Sequence, residues 1–424
     1  MSRLSLRAIA PLLSLALAGL QPTGLFAQDA DPASVSPGTL LVYYGWPSVI
    51  NGAGSVDLAA EALGQYDYVV LGDGLEIDTH PDYANTVALL AHPAMADTKV
   101  FGYIDLGVTT QNLPVSEYKL RMVWWTDIGA DGIFLDDFGY DFGVTRERQN
   151  DAVDFAHALE VPVMVNAWDP DDAFSRAADP TYNPNERRAA LQAGDFYFSE
   201  SYMIQEGAYV DAAFWREKAD KLDAYRQTFG VGVMSVTTPG GTYDEQQFHY
   251  AWHAAAIDGH TAIGWGEPSF SSVDAQAPFR VRPAVDLGSA YVSVATVSLP
   301  LVRRETDAGV IEVNTETHAY RFEASMGTAL ETPERASAAP RLAPNYPNPF
   351  ASDTRLAFSL AEPGPVRLAV YDLMGRPVAV LADGTMPAGE HAVNFNGAAL
   401  PAGVYFCRLE AGGRVESRPI IVGR

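Results

Sequence analysis

The chain has 424 residues, of which 48% are hydrophobic and 11% aromatic, enough for one large core and a smaller second domain. Lysine and arginine number 28 against 53 aspartate and glutamate residues, which gives a formal net charge of −25. A surface this acidic repels nucleic acid and anionic lipid, and the single cysteine, Cys407, excludes an intramolecular disulfide.

The first segment is typical of a secretory signal peptide. Arg3 and Arg7 precede the apolar run 8–20, and Ala27 fits the last residue before cleavage. The run is too short to span a bilayer, and no later stretch reaches about 18 apolar residues. We therefore expect residues 1–27 to be removed and the mature chain to have no transmembrane segment; an uncleaved anchor helix is the alternative.

Strand-like apolar runs then alternate with amphipathic helical patterns. The runs are 40–46, 66–76, 99–107, 131–137, 161–168, 195–202, 230–238 and 261–267. Thr145 and Asp244 are predicted N-caps, and Gln247 completes a capping-box pattern with Asp244. Eight strand–helix units over roughly 250 residues predict an α/β fold, a (β/α)₈ TIM barrel. A doubly wound open sheet is the alternative, but no glycine-rich phosphate loop follows any strand.

The rest of the chain is predicted to be β-structure. Residues 301–324 resemble a short β-hairpin appended to the barrel, so the barrel domain spans 38–325. Residues 326–343 are small, polar and proline-containing, which is typical of a linker. Residues 344–424 contain short strand patterns separated by turn signals, which predict a small all-β, Ig-like sandwich.

Acids and aromatics follow the predicted strands, at the end where a barrel of this kind carries its chemistry. Asp136 and Asp137 end the fourth strand, and Glu200 lies in the sixth, although glutamate is a poor strand former. We take Asp136 and Glu200 as the candidate catalytic pair. The candidate substrate contacts are Tyr43, Tyr44, Trp46, Asp73, Glu76, Asp105, Asp137, Asn166, Trp168, Trp265 and Glu267.

Carboxylates on such a rim serve either metal binding or glycoside hydrolysis. Imidazole-based metal catalysis has little support, because no histidine falls at a strand end. A carboxylate–metal hydrolase would need three acids on one ion, drawn from Asp73, Asp105, Asp136, Asp137 and Asp169. The aromatic residues favour sugar, since their faces pack on the C–H side of a pyranose ring. We therefore expect no metal and no cofactor.

Two short motifs carry a resemblance to a known family. The segments "GADGIFLDD" (129–137) and "GDFYFSESY" (194–202) resemble glycoside hydrolase family 114, the endo-α-1,4-polygalactosaminidase-like TIM barrels. The resemblance implies catalytic roles for Asp136 and Glu200 and places Asn166 where a strand-end asparagine is usual. Phe134 stands where the family has an acid, and Ser201 and Tyr202 replace its cysteine after the glutamate.

The tail resembles a second family. Its segments "LAPNYPNPF" (342–350), "VRLAVYDLMGRPVAVL" (366–381) and "LPAGVYFCRLEAGG" (400–413) are similar to the type A C-terminal sorting domain of the type IX secretion system. The resemblance implies that residues 344–424 engage that machinery and that the protein is exported through the periplasm and outer membrane. A small carbohydrate-binding sandwich is the alternative.

Together these features predict a secreted or surface-attached glycoside hydrolase that cleaves a polysaccharide, with an amino-sugar polymer as one candidate substrate. Asp136 would be the nucleophile or base, and Glu200 the general acid/base. The alternative is a non-catalytic surface protein whose barrel binds glycan or serves as a scaffold. The sequence leaves open the sugar, the linkage, and retaining or inverting stereochemistry.

Overall fold

The computed structural model describes residues 35–325, apart from 73 and 239, and residues 341–423, apart from 344, 346, 347, 351, 361, 362, 373–375 and 413. The chain divides into two compact units, Met1–Met326 and Gly327–Arg424. The predicted signal peptide and residues 326–340 of the predicted linker lie outside the described residues.

Eight parallel strands close into a barrel in the first unit, which confirms the predicted α/β barrel. They are β1 (Gly38–Tyr43), β2 (Tyr68–Leu71), β3 (Lys99–Asp105), β4 (Gly132–Asp136), β5 (Val163–Asn166), β6 (Phe196–Ser199), β9 (Gly232–Thr237) and β10 (Ala262–Trp265). The sheet closes because β1 pairs with both β2 and β10. Between β6 and β9, the two-residue strands β7 (Ile204–Gln205) and β8 (Ala208–Tyr209) form a separate hairpin.

Helices connect the strands, as the sequence pattern predicts. In the described residues they are α1 (Val56–Leu63), α2 (Tyr83–Leu90), α3 (Val115–Asp127), α4 (Arg146–Ala158), α5 (Pro170–Phe174), α6 (Ala212–Phe229) and α7 (Glu245–Asp258). Both predicted N-caps are confirmed, because Thr145 accepts from the N–H of Arg148 and Asp244 from that of Gln247. The side-chain amide of Gln247 donates to the Gly207 carbonyl at 2.9 Å.

Alternation along the strands separates the barrel interior from the layer beneath the helices. The interior is filled by Leu40, Val42, Val70, Phe101, Phe134, Met164, Phe198, Met234, Val236 and Ala262. Their neighbours, such as Leu41, Leu135 and Tyr197, belong to the core between the strands and the helices. Successive residues of a strand therefore face the barrel axis and the helices in turn.

An antiparallel sheet completes the first unit. It has four strands in the order β11 (Thr296–Ser298), β12 (Leu301–Glu305), β13 (Gly309–Asn314) and β14 (Tyr320–Ala324). Val302, Ile311 and Val313 pack in one core with residues of α7. The predicted hairpin is thus part of a larger sheet, because residues 301–324 form the three strands β12, β13 and β14, and β11 adds a fourth.

The second unit consists of antiparallel strands around its own core. One sheet contains β15 (Arg341–Leu342), β16 (Asp353–Leu360) and β19 (Gly389–Asn396). The other contains β17 (Gly364–Tyr371), β18 (Pro377–Met386), β20 (Gly403–Ala411) and β21 (Arg414–Val422). Cys407 is buried in the shared core. In the described part of the chain, no helix combines the length and apolar character needed to cross a membrane.

Candidate active site

Three polar side chains lie at the carboxyl ends of three neighbouring barrel strands. Asp136 ends β4, Asn166 ends β5, and Glu200 directly follows β6. Each lies two residues after a residue of the barrel interior, namely Phe134, Met164 and Phe198. Because side chains alternate along a strand, all three point towards the same end of the barrel interior.

Asn166 joins the two acids. Its amide Nδ2 donates to Asp136 Oδ1 at 2.9 Å and to Glu200 Oε2 at 3.0 Å. Since both hydrogen bonds share one nitrogen atom, the two acceptor oxygens are at most about 6 Å apart. The structure therefore brings the two predicted catalytic acids together, with Asn166 between them.

Burial and like charge change the acidity of the site. Burial raises the pKa of Asp136 to about 7, and the charge of Asp137 adds to the shift, while the hydrogen bond from Asn166 opposes it. Burial also raises the pKa of Asp137 to about 6, against the favourable contact with the Thr110 hydroxyl. Several carboxylates that share a poorly hydrated site do not all ionise near neutral pH. The site therefore retains a transferable proton.

The loop after β3 packs closely against Asp137. Asp137 leaves β4 in the left-handed region, with a φ of 51°. A Cβ on Gly107 would lie 2.9 Å from Asp137 Cβ and 2.2 Å from Thr110 Oγ1, so only glycine fits there. This close approach places the Thr110 hydroxyl beside the Asp137 carboxylate.

Asp105, a predicted substrate contact, stabilises this loop. Its side chain is 3% exposed. Oδ1 accepts hydrogen bonds from the Gly107 N–H at 2.8 Å and the Thr110 hydroxyl at 2.7 Å. Oδ2 accepts from the Gln111 N–H at 3.3 Å. Asp105 acts on the site indirectly, because it positions the loop that contacts Asp137.

Two tyrosines lie beside Asp136. Tyr103 follows the interior residue Phe101 by two positions, and its hydroxyl hydrogen-bonds to Asp136. The ring of Tyr44 meets those of Tyr103 and Phe270 edge-on, each at a centroid distance of 5.3 Å. Tyr44 was a predicted sugar contact. Tyr103 was not predicted, although its spacing from Phe101 already places it on the interior face of β3.

Two of the predicted aromatic contacts are exposed. Trp46 is 47% and Trp168 43% exposed. Trp46 meets the ring of His80 edge-on at 5.5 Å, and Trp168 stacks on Phe214 at 6.3 Å. Both tryptophans stay predicted sugar contacts, because an exposed indole face is available to a pyranose ring.

Tyr43 and Trp265, two predicted sugar contacts, are buried outside the barrel interior. Tyr43 is 0% exposed, and its hydroxyl donates to the Trp46 carbonyl at 3.1 Å. Trp265 is 3% exposed and packs edge-on against Tyr243 and Phe248. Both residues alternate with interior positions, so their side chains face the outer layer of the fold.

Glu76 and Glu267, two predicted substrate contacts, form buried ion pairs. Glu76 accepts a hydrogen bond from Arg121 Nε, and both side chains are buried. Glu267 is 8% exposed and pairs with Arg280 at 2.6 Å. A buried carboxylate needs such a partner, since an isolated charge is costly away from water.

The acids do not form a recognisable metal site in the described part of the chain. No group of three or more His, Cys, Asp or Glu side chains is arranged there to hold an ion. Asp169, one of the acids considered as a ligand, pairs with Lys221 at 3.1 Å. Asp73, a predicted substrate contact, lies outside the described residues. The arrangement of the described acids suits proton transfer.

Comparison with solved structures finds distant barrel enzymes. Sph3 from Aspergillus clavatus, solved in complex with GalNAc, is 14% identical, with 56% of this chain and 92% of that chain covered and a TM-score of 0.33. N-acetylneuraminate lyase from Mycoplasma synoviae is 11% identical, with coverage of 56% and 71% and a TM-score of 0.31. Pyruvate carboxylase from Rhizobium etli is 12% identical, with 54% of this chain covered and a TM-score of 0.33.

These likenesses are too distant to bear on the reaction. The match spans only 22% of the complete pyruvate carboxylase chain. No curated protein sequence matches the chain. Residues 345–423 match a family model described as a secretion system C-terminal sorting domain. The tail therefore indicates that the protein is exported and acts outside the cell or on its surface.

Proposed function

We propose that the protein is a glycoside hydrolase that cleaves a polysaccharide outside the cell. The observation that carries the proposal is the pairing of Asp136 and Glu200 through the amide of Asn166. Two carboxyl groups on either side of a glycosidic bond are what this hydrolysis requires. Export through the tail gives the protein access to polymeric substrates.

The separation of the acids favours a retaining mechanism. Their bridged oxygens are at most about 6 Å apart, which is close to the roughly 5–5.5 Å of retaining enzymes. Inverting enzymes need about 6.5–9.5 Å, because a water molecule must fit between the base and the sugar. In the retaining reaction a carboxylate attacks the anomeric carbon directly.

The pKa of Asp136, raised to about 7, favours the acid role for this residue. Asp136 donates its proton to the glycosidic oxygen while the Glu200 carboxylate attacks the anomeric carbon, and the leaving sugar departs as an alcohol. Water then gives a proton to Asp136 and attacks the same carbon, which releases Glu200. This assignment exchanges the two roles predicted from the sequence, because burial was not visible there.

The surrounding acids favour a substrate with amino groups. The negative charges of Asp105 and Asp141 act on Asp137, so this side of the site attracts cations. The motif resemblance to endo-α-1,4-polygalactosaminidase-like proteins supports a substrate of the same class, such as partly deacetylated galactosaminoglycan.

Digestion of a glycan panel tests the reaction. We expect the mature protein to release oligosaccharides, and Asp136→Asn and Glu200→Gln each to reduce the rate at least about a hundredfold. Glu147→Gln is the control, because that side chain is 76% exposed on α4. If the folded wild type cuts no glycan but all variants bind the same ones, the barrel is a binding or scaffold module.

The roles of the two acids need a separate experiment on an aryl glycoside with a good leaving group. The leaving group of such a substrate departs without a proton, so Asp136→Asn still forms the glycosyl-enzyme. Azide then attacks this intermediate, which restores turnover and gives a glycosyl azide of retained configuration. Rescue of Glu200→Gln with retained configuration would instead make Glu200 the acid/base. NMR of the first sugar product identifies its anomer, and an inverted product would overturn the retaining mechanism.

A further inference from the structure

The ammonium group of Lys218 has no anionic partner among the described residues. Its Nζ lies 5.2 Å from the ring centre of Trp168 and 5.7 Å from that of Tyr197. The other lysines all form ion pairs, Lys99 with Asp131, Lys119 with Asp151, and Lys221 with Asp169 and Asp171. Within the described residues, Lys218 has neither an ion pair nor a hydrogen bond.

The side chain lies at the same end of the barrel as the proposed catalytic pair. Lys218 is in α6, and it contacts the tryptophan that follows β5. It also interacts electrostatically with Glu200, which follows β6. Lys218 is therefore on the Glu200 side of the site.

An exposed aromatic platform accompanies this ammonium group. Trp168 is 43% and Phe214 45% exposed, and the two rings stack at 6.3 Å with 29° between their planes. Exposed aromatic rings of this kind bind the apolar side of a sugar ring with a face that is open to solvent. We call Trp168, Phe214 and Lys218 the Trp168 platform.

The ammonium group is also poorly hydrated. Burial lowers the pKa of Lys218 to about 8, against the attraction of Glu200 and Asp169. At neutral pH the group is still largely charged, so a half-buried cation stands beside the site, and no acceptor among the described residues contacts it. A ligand that brings an oxygen acceptor would meet this requirement.

We propose that the Trp168 platform is a subsite that binds a sugar unit carrying a carbonyl or carboxylate oxygen and disfavours one carrying a free amine. The aromatic rings hold the sugar face, and the ammonium donates to an acetamido or uronate oxygen. The inference rests on the proposed function. Because Asp137 attracts cations on the other side, the site then recognises unlike units on either side of the cleaved bond, as in a partly N-acetylated chain.

Steady-state kinetics on three oligosaccharide series test the subsite. The series are fully N-acetylated, fully deacetylated, and uronate-containing, and the last distinguishes a carboxylate from an acetamido ligand. We expect Lys218→Met to lower kcat/KM about tenfold for whichever acceptor-bearing series the wild type prefers. The rate on the deacetylated series should stay the same or rise. Lys218→Arg keeps the charge and should keep the preference.

Lys221→Met is the matched control, since this lysine is on the same helix but pairs with Asp169 and Asp171. It should leave the ranking of the three series unchanged. Equal rankings for wild type and Lys218→Met, with equal melting temperatures, would overturn the subsite and leave the hydrolase intact.

A failure of the hydrolase itself would look different, because no series would be cut. In that event calorimetric binding of the same three series to Glu200→Gln, with and without Lys218→Met, still decides the subsite. Binding that Lys218→Met weakens only for acceptor-bearing series supports it, and binding that is unchanged for all three overturns it.

Discussion

Asn166 links the carboxyl groups of Asp136 and Glu200, which follow the two strands on either side of its own strand β5. Its amide donates to both acids, and its hydrogen bond favours the ionised form of Asp136. Burial works in the opposite direction, and it is the larger effect. The pKa of Asp136 is therefore set by two opposing effects, burial and the hydrogen bond from Asn166, and a substitution of Asn166 changes the second.

The first prediction concerns this balance. The active form needs protonated Asp136, so kcat/KM should fall as the pH rises through about 7. Asn166→Ala removes a donor that lowers the pKa of Asp136, so this basic limb should move to higher pH, by roughly one unit. Tyr103→Phe, which removes a second side-chain hydrogen bond to Asp136, should shift it in the same direction. An unmoved limb with a reduced kcat would show that Asp136 is not the titrating acid.

His157 gives a pH-dependent contribution to stability away from the site. Its Nε2 contacts Asp195 Oδ1 at 2.9 Å, and this hydrogen bond raises the pKa of His157. A raised folded pKa stabilises the protein fully below the unfolded value of about 6.5 and loses this effect as pH rises through the folded value.

The second prediction follows from the raised pKa of His157. His157→Gln keeps a hydrogen-bonding side chain but cannot become charged. The free energy of unfolding of the wild type should exceed that of His157→Gln most at about pH 5 to 6, and the difference should shrink above the folded pKa. Urea titrations across this range measure it. A difference that grows with pH would contradict the charged pair.

At the scale of the element, strand alternation decides which side chains reach the site. Tyr43 and Tyr44 are adjacent, yet Tyr43 packs in the outer core and Tyr44 in the barrel interior. The same rule separates Trp265 from the interior residues of β10. A residue at a strand end is thus a candidate for the site only if it continues the interior face.

The third prediction concerns the buried pair of Glu76 and Arg121, which fixes α3 to the segment after β2. Glu76→Ala should lower the free energy of unfolding by about 1.5–3 kcal/mol, because it removes a buried hydrogen bond between charged groups. KM for the glycan should not change. Glu147→Ala is the control, since its exposed pair with Arg187 is worth under about 1 kcal/mol. A raised KM at unchanged stability would restore Glu76 to the substrate site.

At the scale of the whole molecule, the two units have separate cores. Tyr118, Trp125 and Phe138 lie in the main core of the first unit, and Leu356, Leu368 and Cys407 in that of the second. The sorting-domain match covers 345–423, so it falls within the second unit. The proposed catalytic pair and the sorting domain therefore lie in different units of the chain.

The fourth prediction tests this division. Residues 35–325 expressed alone should fold, melt within a few degrees of the barrel transition of the mature chain and keep its kcat. Differential scanning calorimetry and the glycan assay measure both properties. In a host with the matching secretion system, deletion of residues 345–423 should leave the barrel unsecreted. A truncated barrel that does not fold would show that its stability depends on the second unit.

The sequence by itself determined the alternation of eight strands with helices, the β-structure of the tail and the acids at the strand ends. It could do so because periodicity and turn chemistry are local properties of the chain. It also indicated Asp136 and Glu200, since a carboxylate at the end of an apolar strand needs a functional or structural reason. The C-terminal sorting domain, which is confirmed, was likewise predicted from contiguous motifs.

Only the tertiary structure decided which acids already have partners. Glu76 meets Arg121 and Glu267 meets Arg280 through contacts that no spacing rule predicts. Lys218 becomes notable for the opposite reason, because folding brings it beside Trp168 without an ion-pair partner among the described residues. Burial also raised the pKa of Asp136 and so changed the role proposed for it. Partner choice and desolvation arise from distant segments packed together, and this information is absent from any single stretch of sequence.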